Sequence, residues 1–226
     1  YKKAIKYYQQ AAEKGSSNAL LNIGIMYEKG KGVEKDYFYA IDYYEKSAEK
    51  GNSVAMCNLG FIYEKGKGVG KDYPKAIEYY QQAADKGNTQ ALCNLGFMYN
   101  KGKGFEKDNS KAIEYYQKAA EKGNTDALLN LGFIYEKGEG VKQDYSKAMK
   151  YYQQAADKGN SNALYNIGFL YENGKGVDKD INLAFEYYEE SSQKGFPIAM
   201  LDMGNCYAKG KGVERNETKA IKCYKS

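Results

Sequence analysis

An alanine, a glycine and a tyrosine return every 36 residues along this 226-residue chain, without one insertion or deletion. The alanines are Ala4, Ala40, Ala76, Ala112, Ala148, Ala184 and Ala220. The glycines run in the same steps from Gly24 to Gly204, and the tyrosines from Tyr27 to Tyr207. Such strict register implies one supersecondary unit, copied and stacked so that each copy buries its neighbour's apolar face.

The stretch from Asn52 to Lys86 shows the logic of one copy. An Asn/Ser cap at Asn52 and Ser53 precedes Ala55, Leu59, Ile62 and Tyr63, which share one face of a helix, here called helix A. Gly66 and Gly68 then stop it, since glycine readily takes the left-handed conformation at a helix C-terminus. Asp72 caps a second helix, B, with Pro74 in its first turn. Its apolar face is Ala76, Ile77, Tyr80, Ala83 and Ala84, and Gly87 ends it. A glycine such as Gly60 or Gly96 inside helix A costs ~0.8–1 kcal/mol relative to alanine. Close approach of helix B onto the backbone is the return expected for it.

The pattern Ala55, Leu59, Gly60, Tyr63, Gly66, Gly68 and Val69, followed by Asp72, Ala76, Tyr80, Ala84 and Gly87, resembles the Sel1-like repeat, a relative of the tetratricopeptide repeat. The likeness covers the whole chain. It implies an all-α, right-handed α-solenoid of helix-turn-helix repeats, with a concave face lined by A helices and used to bind proteins or peptides. The expected division is a B helix alone at 1–15, full repeats at 16–51, 52–87, 88–123, 124–159 and 160–195, and a truncated repeat at 196–226. With a B helix at each end and no polar cap, the array reads as a fragment of a longer protein. Some bacterial relatives bridge two cysteines within every repeat; this sequence lacks that pattern.

Composition narrows the chemistry. There is no histidine, which removes the usual general base and the commonest metal ligand. Neither a catalytic residue, a metal, a cofactor nor a small-molecule substrate is expected, and the near-uniform register singles out no repeat as an enzyme's. Cys57 and Cys93 are one repeat apart, where stacked helices hold their Cα atoms about 10 Å from each other, beyond the ~7 Å limit for a bridge. Cys206 and Cys223 lie within one repeat, where a bridge stays open. Few cysteines without periodic pairing point to a reducing, intracellular setting such as the cytoplasm, or a secretory one if a leader has been lost. No run of 18 apolar residues offers a membrane span. The net charge of +5 is spread along the chain and does not call for nucleic acid.

Two surfaces stand out for a partner. Opposite Leu59 on helix A, at 100° per residue, lie Val54, Cys57, Phe61, Glu64 and Lys65, a side that should be wet. Yet Phe61, Phe97, Phe133 and Phe169 repeat there beside Cys57, Cys93, Leu129 and Tyr165. Either the rings pack between adjacent A helices or they form a ladder for an apolar peptide. Asn205 and Asp202 interrupt the row in the sixth repeat. On the flank, Asn58, Asn94, Asn130 and Asn166 either bond backbone or a tyrosine hydroxyl of the next repeat, or clamp a bound main chain. The second surface is the A-to-B loop edge, with Lys65, Lys67, Lys71, Lys101, Lys103 and Lys107, partly neutralised by Glu34, Glu64 and Glu106. It reads as a solvated edge, or as a site for acidic tails or nucleic acid.

Other motifs dissolve on inspection. The Gly-Lys-Gly loops lack the spacing, the Lys-Ser/Thr and the strand of a phosphate loop. Glu189 and Glu190 lie on a solvated helix face. Asn216 opens a glycosylation sequon, but it stands where aspartates cap the other B helices. The sequence therefore reads as a non-catalytic scaffold that binds a protein segment on its A-helix face. The alternatives are a component held in a large assembly through its array ends and convex helices, and a binder working through the lysine edge.

Overall fold

The computed structural model describes residues 1–225, and among them every regular element is an α-helix. They fall into two compact units, Tyr1–Lys122 and Gly123–Ser226. In the first, α1 spans Lys2–Glu13, α2 Ser17–Lys29, α3 Tyr37–Glu49, α4 Ser53–Lys65, α5 Tyr73–Asp85, α6 Thr89–Lys101 and α7 Asn109–Glu121. In the second, α8 spans Thr125–Lys137, α9 Tyr145–Asp157, α10 Ser161–Asn173, α11 Ile181–Gln193, α12 Pro197–Lys209 and α13 Glu217–Lys225. Even-numbered helices are A helices and odd-numbered ones B helices, each lying against its chain neighbours within its unit.

Local chemistry sets the boundaries. The Asn52 carboxamide oxygen accepts from the N–H groups of Val54 and Ala55, both at 3.1 Å, and Asp72 accepts from Lys75 N–H at 2.9 Å. Each side chain satisfies donors that a helix start leaves without an intrahelical partner. Asn216 caps α13 in the same way, accepting from Lys219 N–H at 2.9 Å. Gly66 ends α4 at φ +70°. The loop is then closed by Asp72 N–H donating to the Tyr63 carbonyl at 3.0 Å.

Within each A–B pair the glycine in helix A meets a tyrosine of helix B. A Cβ on Gly60 would stand 2.6 Å from Cδ1 and Cε1 of Tyr80, and Gly24, Gly96, Gly132, Gly168 and Gly204 meet Tyr44, Tyr116, Tyr152, Tyr188 and Tyr224 alike. Tyr80 is fully buried together with Ala76, Leu59 and Ile62. An aromatic side chain removes ~150–250 Å² from water, worth roughly 4 kcal/mol or more at about 25 cal/mol per Å², which outweighs the ~1 kcal/mol that glycine costs the helix. The second tyrosine of the B-helix pair lies at the margin: Tyr79 is half-buried and stacks on Tyr63 with ring centroids 5.8 Å apart.

Successive repeats are joined by polar contacts as well as by the core. The cap residue Asn88 donates to the Ser53 carbonyl at 3.2 Å, and Ser47, buried where Ala83 and Ala119 stand in the following repeats, donates to the Ser17 carbonyl at 2.8 Å. No described helix is long and apolar enough to cross a membrane.

Candidate protein-interaction site

A buried tyrosine hydroxyl must find a partner, and this requirement organises the A-helix side. Tyr80 Oη donates to Glu64 Oε2 at 3.0 Å, so the carboxylate at the end of helix A is itself drawn inside, with 4% of its side chain exposed. A buried carboxylate needs cations in turn. Lys65 and Lys103 both donate to Glu64 Oε1, at 2.8 and 3.1 Å, the second from the loop one repeat further on. The arrangement recurs: Glu28 accepts from Tyr44 at 2.8 Å and from Lys67 at 3.4 Å, and Glu172 accepts from Tyr188 and from Lys211. Glu136 accepts from Tyr152 and Lys137 at 2.8 and 2.7 Å.

Burial by itself would raise the Glu64 carboxyl, but the hydrogen bonds from Lys65 and Lys103 outweigh it and hold the group below the ordinary carboxylate range. Glu172 is held low by Lys211 and Tyr188 against the same opposing burial. Tyr80, Tyr152 and Tyr188 move up, first through burial and then through the adjacent carboxylates.

Lysines from the ends of the A helices and the loops after them, most of them the ones that neutralise these acids, also cover the phenylalanine row. In the first unit Lys67 Nζ lies 4.6 Å from the centroid of Phe61, Lys103 Nζ 4.7 Å from Phe97, and Lys65 Nζ 5.4 and 6.0 Å from Phe61 and Phe97. In the second unit Lys137 and Lys175 lie over Phe133 and Phe169 at 5.5 and 4.7 Å. Phe61, Phe97 and Phe169 are half-buried, and Phe133 is 40% exposed. Ammonium groups over ring faces at these distances are cation–π contacts.

The expectation that this side of helix A is wet throughout needs correction. Cys57, Cys93 and Glu64 are buried, Cys57 with Asn94 of the following repeat beside it and Glu64 under Tyr80 and Lys103; Leu129 and Tyr165 are half-buried. Tyr165 donates to Asp202 at 2.8 Å, and Asp202 also accepts from Asn205 at 3.3 Å, so a polar cluster stands in the sixth repeat in place of the ring. Asn58, Asn94 and Asn130 turn to the protein. The amide of Asn94 reaches the Tyr80 hydroxyl and lies 3.8 Å from Cys57 Sγ, and that of Asn58 reaches Tyr44. The tyrosine thus belongs to the preceding repeat, not the next. Asn130 donates to the Asp126 carbonyl at 2.9 Å, and Asn166 is half-buried. Of the loop lysines, Lys65, Lys67 and Lys103 hold carboxylates, while Lys71, Lys101 and Lys107 are exposed.

One recess on the B-helix side is acidic. A shallow recess of about 420 Å³ between α3 and α5 is lined by Glu45, Glu49, Glu78, Lys75, Tyr79 and Gln82. An aromatic pair that sequence reasoning passed over, Phe38 and Tyr39, opens α3 at 72% and 55% exposure, with Tyr39 stacked on Tyr27 at 5.0 Å. Its signal was the replacement of the lysine found at Lys75, Lys111 and Lys147. Among the described residues no group of three or more Cys, Asp or Glu side chains is placed to hold a metal. Cys57, Cys93, Cys206 and Cys223 are not joined by disulfides, so the bridge left open between Cys206 and Cys223 is not formed.

The 36-residue unit, its glycine–tyrosine contact and its caps agree with one repeat family, whose pattern matches residues 1–16, 17–52, 53–88, 89–124, 125–160, 161–196 and 197–226. The chain belongs to the Sel1 repeat family. Among solved structures this Sel1 repeat chain is similar to a Sel1 repeat protein from Oxalobacter formigenes, at 33% identity and a TM-score of 0.89, covering 97% of this chain and 93% of that one. It is also similar to c5321, a protective antigen of uropathogenic Escherichia coli, at 32% identity and a TM-score of 0.84, over 98% of this chain but 47% of that protein's. Among curated proteins it is 60% identical over 40 residues to the ERAD-associated E3 ubiquitin-protein ligase component HRD3 of Candida glabrata. That segment is 18% of this chain and 5% of the relative, so the chain spans a small part of that protein's length. Sel1 repeats generally mediate protein–protein interaction as non-catalytic helical scaffolds.

Proposed function

We propose that this chain is a non-catalytic scaffold that holds a segment of a protein partner on the A-helix side of its repeats. The carrying observation is that the phenylalanine row is kept at the surface beneath lysine ammonium groups, with Phe133 40% exposed. In this reading Phe61 and Phe97 are the apolar floor within the first unit, with Lys65, Lys67, Lys101 and Lys103 its charged margin, and Phe133 and Phe169 are the corresponding rings within the second. Asn58, Asn94, Asn130 and Asn166, on the flank of the same helices, would contribute amides toward the main chain of the bound segment. Family membership supports the scaffold role and leaves the partner open.

The test is crosslinking mass spectrometry after affinity capture from the source cell, with two variants run in parallel. One carries Phe61→Ser and Phe97→Ser, the other Phe133→Ser and Phe169→Ser, each shown by circular dichroism to remain helical. Crosslinks from a partner to α4, α6, α8 or α10 that vanish with the variant in the same unit support the reading. Partners that persist unchanged with both variants would refute it and point to the B helices.

A further inference from the structure

The phenylalanine row and the lysine edge look like separate features in the sequence, and the structure makes them one surface. Lys65 Nζ sits between Phe61 and Phe97 and on Glu64, while Lys103 Nζ sits on Phe97 and on the same carboxylate oxygen. One buried carboxylate is therefore shared by two ammonium groups, which leaves one positive charge over between Lys65 and Lys103, and the Lys65 side chain is 41% exposed. Around it the imbalance continues. Residues 61–71 and 97–107 hold six lysines, Lys65, Lys67, Lys71, Lys101, Lys103 and Lys107, against Glu64, Glu106 and the Glu28 that pairs with Lys67, a net charge of 6 − 3 = +3.

We infer that the Phe61–Lys65–Phe97 surface of the first unit takes an acidic peptide segment carrying apolar anchor residues. This rests on the A-helix side being the binding face, and adds the chemistry of what binds there. A carboxylate on the partner would complete the charge that Glu64 cannot, at a lysine already held in place by a ring and an ion pair, so less side-chain entropy is lost on binding. An aromatic or leucine side chain beside that carboxylate would rest on the exposed parts of the two rings. A basic segment meets like charge, and a purely apolar one must strip water from ammonium groups without replacing it. A phosphate backbone would satisfy the charge and leave the rings unused.

The experiment pans a random dodecapeptide phage library on the whole 226-residue chain, with counter-selection on the Phe61→Ser, Phe97→Ser variant. Selected peptides, fluorescein-labelled, are then titrated by anisotropy at low and at physiological salt. The expected outcome is peptides with two or more Asp or Glu beside an aromatic or Leu, bound at least about tenfold more weakly by Lys65→Gln, Lys101→Gln and weakened by salt. A Phe61→Leu, Phe97→Leu variant keeps the packing volume and serves if the serine variant unfolds. Neutral or basic peptides that depend on the phenylalanines overturn the acidic preference and leave the A-helix face standing. Acidic peptides indifferent to the phenylalanines, matched in affinity by a single-stranded DNA oligonucleotide, reduce the surface to a cationic edge and overturn both readings. An empty selection overturns both as well.

Discussion

The ring of Tyr80 lies so close over Gly60 that a Cβ there would stand 2.6 Å from two of its carbons. Alanine at a mid-helix glycine ordinarily gains about 1 kcal/mol, whereas an overpacked core loses ~1–3 kcal/mol or more. Gly60→Ala should therefore lower stability, by about 2 kcal/mol in urea denaturation, and Gly96→Leu should unfold its repeat. Gly70 is the control: no atom lies within 4 Å of a Cβ there, so Gly70→Ala should be neutral or gain up to ~1 kcal/mol. Equal effects at Gly60 and Gly70 would exclude the packing role.

Glu64 supplies an acid-sensitive contribution. Its folded carboxyl lies below the ordinary value of 4.5, so its stabilisation is fully present above that pH and is lost as pH falls through the depressed folded value. Glu172 carries the same sign. Glu64→Gln should cost about 1–3 kcal/mol at neutral pH, because Tyr80, Lys65 and Lys103 lose a charged acceptor. The gap between the melting temperatures of wild type and variant should narrow as the pH drops below 4.5. A gap that stays constant down to pH 3 would show that the ion pairs contribute nothing.

Removing the cap of α5 tests the local boundary. Asp72 accepts from Lys75 N–H at 2.9 Å, and Asp72→Ala should cost about 1 kcal/mol by chemical denaturation, with Asp72→Asn close to wild type. If Asn and Ala prove equally costly, the role of Asp72 is its charge and not its hydrogen bond.

The thiols should differ sharply in reactivity. Burial pushes Cys57 up to about 12 and, with help from Glu172, Cys206 up to about 11, and Cys93 is buried too. Cys223 is half-buried. Since the thiolate is the reactive form, native protein at pH 8 should take one iodoacetamide label quickly, at Cys223, and four in denaturant. Rapid native labelling of Cys57 would mean that the first unit opens far more often than its packing implies.

Much of this could be read before any fold was known. The caps at Asn52 and Asp72, the stop at Gly66 and the demand for something close above Gly60 are local, and each residue type carries its own conformational preference. What periodicity misplaced was Glu64. At 100° per residue it falls opposite Leu59 and looks solvated, yet it is buried, because its position answers to the Tyr80 hydroxyl and to a lysine 39 residues away. Cys57 was misplaced for the same reason: a neighbouring repeat covers it, and a helical wheel contains no neighbour.

The sequence by itself determined the repeat, its two helices, their ends and the membership of the Sel1 family, since all of these follow from short-range preferences repeated in register. Only the tertiary structure decided where the lysines go. A flexible side chain with three donors takes whichever acceptor burial has made costly to leave alone, and that acceptor is fixed by helices brought together from separate repeats. Lys65, Lys67 and Lys103 therefore became part of the phenylalanine row, and not merely a charged edge beside it.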